Sequence, residues 1–163
     1  SVVVYPIRND GGIGEISEFV QHEGSSIDPE RQQGPHAHSV TIGPGNRFAY
    51  AADLGIDKLF TYELDIASGK LVPAASPFAR MADGAGPRHL DIHPDGKRAY
   101  VINELDSTIT AMTLDPDTGL RDFDTLRLIL DYRPDVRAAY LGVYAVVDQP
   151  GTVSVGDAVV PAH

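Results

Sequence analysis

The chain has no cysteine, no tryptophan and only 2 methionines, and it is short of cations, with 13 Lys and Arg against 23 Asp and Glu in 163 residues. The missing thiols exclude disulfides, thiolate metal sites and a cysteine nucleophile. The cation deficit leaves a formal net charge of −10, which disfavours a nucleic-acid partner, since phosphate neutralisation needs a basic stripe. An anionic substrate would need local cationic exceptions. Long hydrophobic runs are missing too: no window approaches the roughly 18 apolar residues of a membrane helix, and no charged-then-apolar leader opens the chain. The expectation is a cytoplasmic protein with neither a nucleic-acid nor a membrane partner. The chain starts at Ser1, inside a repeat, which leaves a lost leader open. Apolar residues make up 42 % of it, enough for a packed core rather than disorder.

What is present is a near-repeat. His38-Ser39-Val40-Thr41-Ile42-Gly43-Pro44-Gly45-Asn46-Arg47-Phe48-Ala49-Tyr50-Ala51-Ala52-Asp53 matches Arg88-His89-Leu90-Asp91-Ile92-His93-Pro94-Asp95-Gly96-Lys97-Arg98-Ala99-Tyr100-Val101-Ile102-Asn103 at a constant offset of 50. The match continues with Leu59 on Ile109, Leu64 and Asp65 on Leu114 and Asp115, and Gly69 on Gly119. A fixed period of about 40 to 50 residues built from short strands is the signature of propeller blades. Within one copy, Ser39 to Ile42 and Phe48 to Ala51 are β-prone, and Gly43-Pro44-Gly45-Asn46 between them supplies turn residues. Strands over residues 58–64 and 71–73 complete a four-stranded unit. Residues 2–13 resemble the back half of an earlier unit, so the chain begins mid-blade. The predicted fold class is all-β, a partial β-propeller of about two and a half blades of four-stranded antiparallel sheet over residues 1–120.

Three places hold candidate chemistry. A polar connection over residues 21–37 leads into Pro35-His36-Ala37-His38; the second place is Gly84-Ala85-Gly86-Pro87-Arg88-His89, at the same position of the next blade; the third is Asn103-Glu104-Leu105-Asp106. Long polar loops are often functional. His38 and Arg88 hold one repeat position, on the strand nearest the propeller axis, and should face one channel end. Glu104 replaces the Leu54 of the other copy, a polar departure just past a strand end. Simpler readings stand beside these. His36 and His38 share a face as an H-x-H pair and could ligate zinc, but no third or fourth ligand is identifiable and no metal or cofactor is expected. His89, Asp91 and His93 also alternate, yet His93-Pro94-Asp95-Gly96 reads as the blade turn. Arg88 could satisfy junction carbonyls, and Glu104 could pair with Arg98 or Lys97. Asp53 and Asp57, in Asp53-Leu54-Gly55-Ile56-Asp57, read as turn residues accepting backbone N–H groups, with Asp53 also a candidate substrate contact at the channel mouth.

The motifs Pro35-His36-Ala37-His38-Ser39, Ala52-Asp53-Leu54-Gly55-Ile56-Asp57-Lys58, Gly86-Pro87-Arg88-His89-Leu90-Asp91-Ile92-His93-Pro94-Asp95-Gly96 and Tyr100-Val101-Ile102-Asn103-Glu104-Leu105 resemble the lactonase family of seven-bladed β-propellers. That family includes bacterial 6-phosphogluconolactonases and the fungal carboxy-cis,cis-muconate cyclase. The resemblance covers about residues 1–120. It implies catalytic roles for His38, Arg88 and Glu104, with His36, Arg88 and Asp53 at the substrate. A further arginine of the family's site belongs to later blades. The implied partner is a small anionic lactone or sugar phosphate, its charged group held by Arg88, with His38 as general base on water and Glu104 orienting that base or protonating the leaving alkoxide.

After Leu120 the repeat breaks, and residues 121–163 read as a segment of different origin. Residues 140–159 read as a β-hairpin around Asp148-Gln149-Pro150-Gly151, and residues 131–160 are similar to the end of a MOSC domain, without that family's cysteine. A partial propeller leaves terminal blade faces exposed and open to self-association. Two functions follow: a lactone hydrolase of the 6-phosphogluconolactonase type, incomplete as it stands, or a non-catalytic propeller fragment serving as a binding or assembly module. Convergence of His38, Arg88 and Glu104 around an open cleft would favour the first.

Overall fold

The computed structural model describes residues 1–121, which form ten strands in three antiparallel sheets. The first sheet pairs β1 (Val2–Val4) with β2 (Glu18–Val20). The second is β3 (Ala37–Ile42), β4 (Phe48–Asp53), β5 (Lys58–Asp65) and β6 (Lys70–Arg80), hydrogen-bonded in chain order. The third repeats it with β7 (Pro87–Ile92), β8 (Arg98–Asn103), β9 (Ile109–Asp115) and β10 (Gly119–Arg121). One half-blade and two four-stranded blades are what the repeat predicts. The hairpin expected at 140–159 and its MOSC likeness lie outside the described residues.

The turns repeat as well. In the first blade Gly43 N–H donates to Phe48 O (2.8 Å) and Asn46 N–H to Gly43 O (3.1 Å); in the second, His93 N–H donates to Arg98 O (2.9 Å) and Gly96 N–H to His93 O (2.8 Å). His93 therefore does the turn work of Gly43. Its ring also lies against Asp95, whose carboxylate takes Arg98 (2.7 Å).

Each strand of the first blade faces two ways, as the two-residue period of a strand demands. Phe48, Tyr50, Ala52 and Leu59 enter a cluster with Leu90, Ala99, Val101, Met112 and Leu120 of the next blade. Ala49, Ala51, Tyr62 and Leu71 turn the other way and pack on Val2 of the half-blade. Strand β4 is consequently buried at all six positions. Strand β8 alternates: Ala99 and Val101 are buried, whereas Tyr100 and Ile102 are 37 % and 50 % exposed. A buried polar contact crosses the blade interface, the Tyr50 hydroxyl donating to Gly119 O at 3.0 Å, and burial pushes that phenol up to about 12.

The two inner strands lie side by side. Ser39 Oγ donates to Arg88 O (2.6 Å) and Thr41 Oγ1 to Leu90 O (3.0 Å), tying β3 to β7. This seam carries the candidate residues. Among the described residues no helix is long and apolar enough to cross a membrane.

Candidate functional site

Both blades have an irregularity at the same place. In the β3–β4 ladder Ala37 pairs with Asp53 and Ser39 with Ala52, leaving His38 as the extra residue. In the β7–β8 ladder Pro87 pairs with Asn103 and His89 with Ile102, leaving Arg88 as the extra residue. A bulge of this kind bends the strand and re-aims a side chain out of the pleat. The repeat position shared by His38 and Arg88 is thus a pair of bulges on adjacent inner strands.

The bulges bring the side chains together. Arg88 Nε–H donates to His38 Nε2 (3.2 Å), and the same nitrogen forms an ion pair with Glu104 Oε2 (2.8 Å). Among the described residues Glu104 pairs with neither Arg98 nor Lys97, and Arg88 donates to no junction carbonyl. The other Glu104 oxygen, Oε1, accepts from Arg31 Nη2 at 2.6 Å. The His36 ring stacks on that of His38 with centroids 6.3 Å apart, and the His89 ring meets it edge-on at 5.0 Å. Among the described residues no group of acidic or imidazole side chains forms a metal site.

Burial, followed by the positive field of Arg88 and the proximity of His89, holds the His38 ring below the ordinary histidine range. With Nε2 accepting from Arg88, the ring is neutral and its proton is on Nδ1. That atom is buried and has no hydrogen-bond partner among the described residues. Glu104 is shifted down, chiefly by its hydrogen bond from Arg31, with Arg88 adding to the effect. It is a carboxylate at neutral pH, which favours the orienting role over donation of a proton to a leaving alkoxide.

Asp53, expected at the substrate, is fully buried instead. Its Oδ1 accepts from His36 N–H (2.7 Å) and Gly55 N–H (3.1 Å), and its Oδ2 from His22 Nδ1 (2.5 Å). A buried carboxylate needs such donors, because unpaired it would lose its hydration without return. His22 completes the set through Nε2 with the Tyr62 hydroxyl at 2.9 Å, and burial raises that phenol to about 12. Asp53 thus fixes the backbone leading into the His38 bulge. Gly55 fits here because a Cβ would sit 2.0 Å from Gly34 O.

Asp57 performs the same service on the other side. It accepts from Ser26 Oγ (2.5 Å), Gln32 Nε2 (2.8 Å), Gly84 N–H (2.7 Å) and Gly86 N–H (2.7 Å). One buried carboxylate therefore pins both the 21–37 connection and the loop that delivers Arg88. The expectation that Asp53 and Asp57 accept backbone N–H groups holds for both, and the side-chain donors His22, Ser26 and Gln32 come in addition. Sequence reasoning missed Arg31 and His22, and named His89 only within the second candidate stretch and the alternating run with Asp91 and His93. The one usable signal was the unusual length and polarity of the 21–37 connection, which names no residue.

Residues 1–145 match the family model described as "Lactonase, 7-bladed beta-propeller". The chain belongs to this lactonase family. The match runs past Leu120, where the repeat pattern ends. Among the lactonases, a 6-phosphogluconolactonase of Bacillus subtilis is 37 % identical over 131 residues, covering 80 % of this chain and 36 % of that protein. A second 6-phosphogluconolactonase, from Pectobacterium carotovorum, is 36 % identical over 119 residues, 72 % of this chain and 32 % of that protein. The solved periplasmic gluconolactonase of Pseudomonas aeruginosa superposes with a TM-score of 0.68 at 33 % identity, over 75 % of this chain and 34 % of that one. The chain spans about a third of the length of these lactonases.

Proposed function

We propose that this chain carries part of a lactone-hydrolysing site, with 6-phosphogluconolactone as the leading substrate. The observation that carries the reading is the run from His38 through Arg88 to Glu104, a hydrogen bond followed by an ion pair, with His38 and Arg88 on equivalent bulges of adjacent inner strands. A site on a rigid seam of two blades holds its groups in register, which is what positioning for catalysis requires. The names of the relatives support the reaction class, and their greater length supports a site whose remaining walls lie in other blades.

In the proposed reaction Arg88 takes the anionic group of the lactone, and its hydrogen bond to His38 Nε2 is released. The freed lone pair removes a proton from water as that water adds to the lactone carbonyl carbon. The tetrahedral intermediate collapses with cleavage of the bond to the ring oxygen, and the imidazolium returns its proton to the departing alkoxide. Glu104 stays ionised and braces Arg88. His36 flanks the base; Asp53 acts from behind, through the backbone. A phosphorylated substrate also assigns the protein to the cytoplasm, where sugar phosphates are retained, in contrast with the periplasmic relative.

The test is hydrolysis of 6-phosphogluconolactone by the 163-residue chain and its His38→Ala variant, against the spontaneous rate, with solution mass determined on the same samples. Turnover above background that drops by roughly a hundredfold or more in the variant supports the reading. Turnover that survives His38→Ala removes His38 as the base.

A further inference from the structure

The 21–37 connection brings a second guanidinium to the seam. Asp28 makes the turn that presents it, its Oδ1 accepting from Glu30 N–H (2.8 Å) and Arg31 N–H (2.9 Å). The next residue, Gln32, is fully buried, donating to Leu54 O (2.8 Å) and Asp57 Oδ1 (2.8 Å) and accepting from Asp28 N–H (3.1 Å). Arg31 therefore stands on a fixed platform, held beside a buried anchor rather than on a free strand of polar residues.

Its one ion pair among the described residues does not explain it. The Arg31 side chain is 46 % exposed and that of Glu104 is 30 % exposed, and pairs of that kind add little stability. What the pairing does is fix position. Glu104 sits between two guanidiniums, Oε1 on Arg31 and Oε2 on Arg88, and so brings them to either side of one carboxylate. Each guanidinium has five N–H donors. Arg31 uses Nη2 alone and Arg88 uses Nε alone, so both Nη groups of Arg88, and Nε and Nη1 of Arg31, donate to nothing among the described residues. At Glu104 two positive charges meet one negative, with Asp28 a further carboxylate in the field of Arg31, in a chain whose formal net charge is −10.

We propose that Arg31 is a substrate-specificity residue, forming with Arg88 a two-arginine cradle for a phosphate group, with Glu104 as the brace that keeps both in place. A phosphate dianion presents three terminal oxygens and accepts charge-assisted hydrogen bonds from two forks at once, which a neutral hydroxyl cannot do. The inference rests on the lactonase reading only for the identity of the sugar that carries the phosphate.

The probes are 6-phosphogluconate, gluconate and inorganic phosphate, titrated into the 163-residue chain and its Arg31→Gln and Arg31→Lys variants by calorimetry, with the arginine side-chain resonances followed by NMR. Arg31 is exposed, so unchanged circular dichroism is expected in both variants. The expected result is that Arg31→Gln weakens 6-phosphogluconate roughly ten- to hundredfold, leaves gluconate unchanged, and is partly rescued by Arg31→Lys. Inorganic phosphate that binds as tightly as 6-phosphogluconate, and is weakened by Arg31→Gln to the same degree, supports the cradle with free phosphate as its occupant. Equal binding of 6-phosphogluconate to wild type and Arg31→Gln, equal losses for gluconate and 6-phosphogluconate, or absence of phosphate binding overturns the proposal. Hydrolysis assays on the same samples separate the two readings: an Arg31-dependent phosphate affinity without turnover leaves the cradle standing and removes the hydrolase.

Discussion

His38 works, on the proposed reading, because it is neutral where an exposed imidazole would be partly charged. Desolvation is the leading cause, and the Arg88 charge adds to it, while Glu104 pulls the other way. The pH–rate profile of lactone hydrolysis is therefore expected to rise with pH and to level off below the ordinary histidine pKa of about 6.5. The signs of two substitutions follow. Glu104→Gln removes a negative charge that favours imidazolium, so the midpoint moves further down. Arg88→Gln removes a positive charge that disfavours it, so the midpoint moves up. NMR titration of the His38 ring reads both directly, whether or not turnover survives. A midpoint that stays fixed in both variants would mean that burial alone sets the ring. Because the folded-state pKa is depressed, the unfolded chain takes up the His38 proton before the folded one does, so stability is greatest above the unfolded-state value and falls as pH drops from there through the lower folded-state value.

At the scale of elements, buried carboxylates hold the loops together with apolar anchors such as Met81 and Ala85 of the blade-interface cluster. Asp57 accepts four hydrogen bonds from residues on either side of the seam and is 1 % exposed, with a backbone φ of 52°. Asp57→Ala leaves buried donors unpaired and puts alanine in the left-handed region, a combination expected to cost at least about 3 kcal/mol. Asp57→Asn tolerates the dihedral and keeps one acceptor oxygen, so its loss in urea denaturation should be clearly smaller. Equal losses would show that the missing carboxylate oxygen and its charge, which both variants lose, set the cost and the backbone dihedral does not. The strands, turns and blade count were legible because each copy repeats its pattern at an offset of 50, and the pairing of His38 with Arg88 was legible for the same reason. The bulges were not, since a bulge is a property of the ladder and leaves no residue signature. Of the two readings of Asp53 its burial favours the turn role, and sequence could not choose because a carboxylate at a channel mouth and one buried beneath it look alike there. Arg31 was invisible because its partner, Glu104, lies 73 residues away.

Across the whole molecule, the two blades are chemically alike yet differ in what covers them, and Leu59 and Ile109 measure the difference. They occupy one repeat position, but Leu59 is fully buried in the interface between blades while Ile109 is 46 % exposed on the outer face, beside Tyr100 and Ile102. Truncation of Leu59 to alanine removes packed methyl groups and leaves a cavity, for an expected loss of about 2–5 kcal/mol. Truncation of Ile109 removes groups already half in water, so a loss of about 1 kcal/mol or less is expected. Urea denaturation of both variants, repeated over a range of protein concentration, tests this asymmetry. A large loss at Ile109 that grows with concentration would mean that a second copy covers the outer face, as an apolar blade surface invites. A small loss, independent of concentration, leaves that face free for another blade.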